Sequence, residues 1–402
     1  MKLTNTQIQD LASNYKTPMY IYDKAVIEQN INTMKTLCTM PNIKINYATK
    51  ANSNLHILKL IREHNMKVDC TGYGEYFINK RAGFEQSQIY VVANNLTFEE
   101  MKQLTDQNLV ISVDSIDQLK LLNEVAPGYQ KLMIRVNPTF GAGDNESIVT
   151  GGANHKFGID IEDFEFCLKY IKDNTLKLIG LNNHVGSLNL DYTVMIRAVE
   201  ELLAIVTEYQ LHDLQIINFG GGFGIDYNHE TNNKLDLESL KHQLNTIFTN
   251  FVSIYPNKEV SLEFEPGRFI VANSAILVGT VTTVKRRGKD IYIGTDLGFS
   301  QLVRPVMYNS YHHVEFITNN TMTRNCHVVG NMCESGDYIC KDRKLIVPDV
   351  GDLVIVYDTG AYGYSMSSNF NNRLRPIELL TADDDVTIIR NRQTLDDLLI
   401  GY

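Results

Sequence analysis

Four places in the sequence carry residue types that could act together. They are a lysine in INYATKAN (45–52), a histidine in HVGS (184–187), three glycines in NFGGGFG (218–224) and a carboxylate in EPGR (265–268). A deprotonated amine such as that of Lys50 attacks a carbonyl carbon. Consecutive glycines let backbone N–H groups approach an anion, because no Cβ intervenes. A carboxylate flanked by apolar residues, as Glu265 is, pairs with a protonated ring nitrogen. Each has an ordinary structural reading when taken singly. Lys50 also reads as a solvated charge past a strand end, the glycines as a tight turn, and His184 as a hydrogen-bonded structural histidine. The glycine run does not fit G-x-G-x-x-G, which disfavours a dinucleotide fold.

What could bring these residues to one place is the order of the elements. Eight β-rich runs recur: IKINYATK (43–50), KVDCTG (67–72), IYVVANN (89–95), LVISVDS (109–115), KLMIRVN (131–137), LIGLNNHVG (178–186), LQIINFGGG (214–222) and SLEFEPGR (261–268). Helical periodicity separates most of them, as in LHILKLIREHN (55–65), DFEFCLKYIKDN (163–174) and MIRAVEELLAIVTEY (195–209). Alternation of this kind predicts a parallel sheet, and eight strands predict a closed (β/α)8 TIM-type barrel over residues 26–270. Residues 138–177 interrupt the rhythm and read as an extended loop leading into a helix. Beyond about residue 270 strands follow one another without long helices. Residues 271–402, joined by MYIYD (19–23) from residues 1–25, predict a second, mainly antiparallel β domain. In a barrel the functional groups stand at the C-terminal strand ends. Here those ends carry Lys50, Asp69, Asn94, Asp114, Arg135, Asn137, His184, Gly220–Gly222, Glu265 and Arg268. A lysine, a phosphate cradle and an apolar-flanked carboxylate on one rim suggest pyridoxal 5'-phosphate (PLP). The amine forms a Schiff base, the glycines hold the phosphate, and the acid keeps the pyridine an electron sink, with His184 against the ring face.

The totals narrow the class. A chain of 402 residues with 44% hydrophobic content can bury two cores. A net charge of −10 argues against a nucleic-acid surface. No apolar run reaches the roughly 20 residues of a membrane span, and the N-terminal residues lack a signal-peptide core, so a cytoplasmic location is expected. Cys38, Cys70, Cys167, Cys326, Cys333 and Cys340 are scattered, a reduced pattern without C-x-x-C spacing. No metal site is expected, at His312-His313 or elsewhere.

These motifs together resemble the fold-type III PLP decarboxylases, and among them the diaminopimelate decarboxylases. YATKAN (47–52), HVGS, GGGFG (220–224) and EPGR are followed in order by LVRPVMY (302–308), CESGD (333–337) and GAYGYSMSSNFN (360–371) in the second domain. The resemblance implies that Lys50 carries the cofactor, Asp69 lies near Lys50, and His184 stacks on the ring. It implies that Ser187, Gly221, Gly222 and Tyr362 hold the phosphate and that Glu265 meets the ring nitrogen. Arg268, Arg304 and Tyr308 resemble residues that grip the distal carboxylate of the substrate, although the counterpart of Arg268 in ornithine decarboxylases faces the phosphate. Glu334 resembles the reader of the distal amino group, and Cys333 the acid that protonates the carbanion. Cys333, Glu334 and Tyr362 are expected to cross the interface of a two-fold homodimer. The other five cysteines are expected to pack as small hydrophobes.

The implied activity is decarboxylation of meso-diaminopimelate to lysine. Phe269 after EPGR and Leu188-Asn189 after HVGS depart from the diaminopimelate enzymes. A PLP-dependent racemase, or a decarboxylase of an ornithine-like or siderophore-precursor amino acid, is therefore the alternative. A PLP-binding regulator without activity is a third reading, disfavoured because Lys50 and Cys333 are both present.

Overall fold

The computed structural model describes residues 3–37, 39–141, 151–152, 155–231 and 233–402. The chain divides into two compact units. One comprises Ile31–Ile225 and Lys234–Phe269; the other comprises Met1–Asn30, Asp226–Asn233 and Ile270–Tyr402.

The chain opens with α1 (Asn5–Tyr15), β1 (Met19–Asp23) and α2 (Lys24–Lys35). Eight strands follow: β2 (Ile43–Ala48), β3 (Lys67–Cys70), β4 (Ile89–Val92), β5 (Val110–Val113), β6 (Leu132–Arg135), β7 (Leu178–Asn182), β8 (Ile216–Asn218) and β9 (Ser261–Phe264). They close in chain order into a barrel, sealed by a parallel β2–β9 pairing. The eight runs read from the sequence are these eight strands. Their residues are buried almost throughout, as a sheet covered on both faces requires.

The helices between them are α3 (Leu55–Glu63), α4 (Tyr73–Arg81), α5 (Phe98–Asp106), α6 (Ile116–Val125), α7 (Ile161–Asp173), α8 (Tyr192–Glu208) and α9 (Leu237–Ile254). Each start is chemically marked where a polar side chain satisfies an orphan N–H. Thr97 and Glu100 form a reciprocal capping box on α5, and Ser115, Asp191 and Asp236 cap α6, α8 and α9. One face of α8 buries Met195, Val199, Leu202 and Val206, the spacing of an amphipathic helix. The interruption after β6 begins and ends beside that strand: Ile159 N–H donates to the Arg135 carbonyl at 2.8 Å, and Val136 pairs with Ile159. Residues 142–150 and 153–154 of the extended loop expected there lie outside the described residues.

The second unit contains the short helix α10 (Arg268–Val271) from Ile270 onward, then β10 (Ala275–Arg287), β11 (Asp290–Thr295), α11 (Arg304–Tyr308), β12 (Val314–Ile317), β13 (Thr323–Val329), β14 (Tyr338–Ile346), β15 (Leu353–Val356), β16 (Ile377–Ala382) and β17 (Asp385–Arg390). The main path of its sheet runs β14-β13-β11-β10-β1-β16-β17, with β15 pairing β10 and β12. Within this sheet only β1–β16 and β11–β13 are parallel among the described pairings. MYIYD therefore joins this sheet as β1, all five of its residues buried. Ile8, Leu11, Met19 and Ile21 pack with Ile276, Val278, Ile355, Ile377 and Leu379.

Two strands of this sheet, β14 and β16, carry a weak sequence signal. YICKDRKLI (338–346) is interrupted by charges because it is an edge strand, where charge protects unpaired backbone. IELLTA (377–382) lacks polar alternation because it is buried between β1 and β17.

Candidate active site

In the barrel unit, the strand ends bring one charged group after another onto a common rim. Lys50 sits on a single tight turn, Thr49–Ala51, directly after β2. Tyr47 fixes that turn by donating its hydroxyl to the Asn52 carbonyl at 2.9 Å, and Thr49 bonds Asn79 of α4 at 3.1 Å. Lys50 Nζ lies 3.4 Å from Asp69 Oδ2 at the end of β3. Asp69 is 1% exposed, and its Oδ1 has no hydrogen-bond partner among the described residues. Burial pushes the Asp69 carboxyl up to about 6 against the pull of Lys50.

Glu265 follows β9 and is also buried. Asn218, at the end of β8, donates to Glu265 Oε1 at 2.6 Å, and its own Oδ1 accepts the Gly220 N–H at 2.8 Å. Burial and the nearby Asp69 carboxylate raise Glu265 to about 7; Lys50 and hydrogen bonds from Tyr90 and Asn218 work against them.

The glycine run packs tightly against its neighbours. A Cβ on Gly221 would stand within the contact radius of the Glu265 carbonyl oxygen, and one on Gly222 would lie 2.6 Å from the Gly186 carbonyl. Gly222 also has φ +103°, where a side chain is strained. Only glycine lets this loop pass so close to HVGS and the Glu265 carbonyl, and a glycine backbone presents its N–H groups to an anion without an intervening Cβ.

His184 is half-buried after β7. Its Nδ1 accepts the Gly186 N–H at 3.2 Å, so the ring proton belongs on Nε2. Burial, then Lys50 and Arg135, hold the imidazole well below its usual range, so it is neutral at pH 7. Ser187 Oγ accepts both Arg268 Nε at 3.2 Å and Arg268 Nη2 at 3.0 Å.

Arg304, Tyr308, Cys333, Glu334 and Tyr362 belong to the other unit. Arg304 is buried at the start of α11; its Nη1 donates to His312 Nε2 at 2.6 Å and its guanidinium lies 4.6 Å from the Tyr227 ring centre. His312 Nδ1 donates to the Tyr357 carbonyl at 2.8 Å, so this histidine holds Arg304 as a neutral ring. Tyr308 and Tyr362 are half-buried, and Tyr362 has a left-handed backbone with φ 57°.

Cys333 and Glu334 are exposed on the loop between β13 and β14. Asp337 shapes that loop by accepting the Met332 N–H at 2.8 Å and the Phe299 N–H at 2.7 Å. Cys70, Cys167, Cys326 and Cys340 are free thiols buried in apolar surroundings, where burial pushes each thiol up and makes it inert. Cys38 lies outside the described residues. Among the described residues no group of three or more His, Cys, Asp or Glu is placed to hold a metal ion, and no helix is long and apolar enough to cross a membrane.

The pyridoxal binding domain of the pyridoxal-dependent decarboxylases matches residues 24–272. The chain belongs to this decarboxylase family. The diaminopimelate decarboxylase of Methanothermobacter thermautotrophicus is 34% identical, across 98% of this chain and 93% of the relative. That of Escherichia coli strain K12 is 33% identical, across 99% and 96%. Among solved structures, the Helicobacter pylori diaminopimelate decarboxylase complexed with L-lysine superposes with a TM-score of 0.88 at 29% identity, across 98% of each chain.

Within the decarboxylase frame, sequence reasoning passes over Tyr90 and Asn218, which touch Glu265 from inside the barrel. Their signal is a polar residue in an otherwise apolar barrel strand. It becomes readable only once the inward face of β4 and β8 is known.

Proposed function

We propose that the chain is a PLP-dependent decarboxylase acting on meso-diaminopimelate to give lysine. The observation that carries the reading is a half-exposed Lys50 set against the buried Asp69 and Glu265, beside a loop that only glycine can form. Burial raises both carboxylates even with Lys50 acting on each, so a further cation would ease the arrangement. A protonated pyridine nitrogen beside Glu265 is such a cation, and the Gly221–Gly222 backbone suits the phosphate at the other end of the same molecule. These features fit PLP on this chain's own geometry.

When bound, PLP accepts the electron pair that the departing carboxylate leaves on the substrate Cα. Lys50 holds the cofactor through its amine and yields that bond to the substrate amine. Asp69 orients Lys50 and shares its proton. His184, neutral, would lie against one face of the ring. Glu265 keeps the ring nitrogen protonated, and Gly221, Gly222, Ser187 and Tyr362 bind the phosphate. Arg268 shares Ser187 Oγ, which supports a place beside the phosphate as well as near the substrate.

Arg304 and Tyr308 bind the distal carboxylate, and Glu334 reads the distal amine. A guanidinium matches a carboxylate through two parallel hydrogen bonds. Cys333, exposed on its loop, delivers the proton to Cα. Cys333, Glu334 and Tyr362 are contributed by a second copy of the chain in a homodimer. The chemistry is that of biosynthesis in the cytoplasm.

The test is product analysis after incubating PLP-loaded protein with meso-diaminopimelate, L-ornithine and L-lysine in deuterated water. Release of carbon dioxide from meso-diaminopimelate with lysine formed is the expected result. Deuterium uptake with all carbon retained would select a racemase, and carbon dioxide from ornithine alone would reassign the substrate. Borohydride trapping with peptide mapping should place the cofactor on Lys50.

A further inference from the structure

Beneath Glu265 the barrel interior holds a polar chain made by four different strands. Asn46 on β2, Tyr90 on β4, Asn218 at the end of β8 and Glu263 on β9 are all buried. Tyr90 OH accepts Asn46 Nδ2 at 2.8 Å and Asn218 Nδ2 at 2.9 Å. The second hydrogen of each amide is also committed: Asn46 donates to Glu263 Oε2 at 2.5 Å, and Asn218 to Glu265 Oε1 at 2.6 Å.

Neither amide can turn round. Asn218 Oδ1 already takes the Gly220 N–H, and a reversed Asn46 would set its oxygen against the Glu263 carboxylate. Glu263 Oε1 in turn accepts the Ser261 hydroxyl at 2.7 Å. A phenol oxygen has two acceptor sites and one proton to give. With both sites filled by amides, the Tyr90 proton is left for another acceptor, and Glu265, joined to the same phenol through Asn218 Nδ2, is the carboxylate it acts on.

We infer that Tyr90 is a positioning residue that, with Asn218, keeps the Glu265 carboxylate ionised and aimed, and so sets the pH range in which the ring nitrogen of PLP is held protonated. The second half of this inference rests on the reading of Glu265 given under Proposed function. Glu265 also faces Asp69 from β3, Lys50 from the turn after β2 and Arg135 from β6; Asp114 from β5 acts on Arg135. Asp69 opposes the ionised form, whereas Lys50 and Arg135 favour it. The two neutral donors, Tyr90 and Asn218, are the hydrogen-bond contribution that holds it. Burial and the nearby carboxylates keep the Tyr90 phenol itself protonated and able to donate.

The experiment compares full-length wild type, Tyr90→Phe and a chain carrying 3-fluorotyrosine at position 90, which keeps the shape but donates more strongly. Isotope-edited infrared titration of the cofactor-free chain reads the Glu265 midpoint, its band identified by loss in Glu265→Gln. PLP affinity is then measured from pH 6 to 9. Tyr90→Phe should raise the midpoint by about one pH unit and weaken PLP binding about five-fold at pH 7. The wild-type and Phe affinities should converge at high pH, and fluorotyrosine should move the midpoint down.

A folded Tyr90→Phe protein with an unchanged midpoint overturns the inference. If that variant fails to fold, an unchanged midpoint in the fluorotyrosine protein overturns it. A shifted midpoint with an unchanged pH profile of PLP affinity supports the hold of Tyr90 on Glu265 and rejects Glu265 as the partner of the ring nitrogen.

Discussion

Lys50 Nζ and Asp69 Oδ2 stand 3.4 Å apart, and the other carboxylate oxygen of Asp69 is buried without a partner among the described residues. Burial outweighs the lysine, so Asp69 is harder to ionise in the folded chain than in the unfolded one.

That imbalance has a sign. A raised folded pKa gives stability that is fully present below the unfolded value of 3.8 and is lost as pH rises through about 6. Asp69→Asn removes this loss. Between pH 4 and pH 7 the melting temperature of the cofactor-free variant, relative to wild type, should therefore rise by roughly 2–4 °C. Calorimetry across that range checks it, and a constant difference would rule out the assignment.

Gly221→Ala should abolish cofactor retention, because the new methyl meets the Glu265 carbonyl oxygen. Gly74→Ala is the contrasting case: it lies within α4, and no atom stands within 4 Å of the added Cβ. It should leave PLP affinity unchanged and stabilise the chain by up to ~1 kcal/mol through helix propensity. Absorbance titration with PLP and thermal melts separate the two variants.

Ser187→Ala and Arg268→Lys should act alike. Arg268 reaches Ser187 Oγ through two nitrogens, and lysine cannot reproduce that fork. If the pair serves the phosphate, both variants weaken PLP binding by about ten-fold, the scale of one charge-assisted hydrogen bond. In that case KM for substrate changes little at saturating PLP. A rise in KM with unchanged PLP affinity would move Arg268 to the substrate end.

Lys50→Ala and Cys333→Ala are each expected to be inactive. If each site takes Lys50 from one chain and Cys333 from the other, mixing and re-equilibrating the two variants restores about a quarter of wild-type activity per site. No recovery, with mixed dimers demonstrated by mass spectrometry, would place both residues of a site on the same chain.

The barrel is legible in the sequence because its strands are short, apolar and separated by helices, and because the C-terminal strand ends carry Lys50, Asp69, His184 and Glu265. Tyr90 and Asn46 are harder to read. A polar residue inside a barrel strand looks the same whether it points inward or outward until the register is known. Asn218 hides for a different reason: it precedes the glycines, which draw the attention, although its amide ties Gly220 to Glu265. The hold of His312 on Arg304 follows from the fold, since the two are separated by a helix end and a loop of no recognisable pattern. In the second unit β14 is hidden by its own charges, whereas β1 is readable from MYIYD alone.

The position of β1 has a further consequence. Residues Met19–Asp23 are bordered by Ala275–Val278 on one side and Ile377–Thr381 on the other. During synthesis this segment leaves the ribosome before either neighbour, and more than 250 residues separate it from the nearer one. Nascent chains halted before residue 275 should expose it to protease, and chains carried past residue 382 should shield it. The strand made earliest is among the last to be paired.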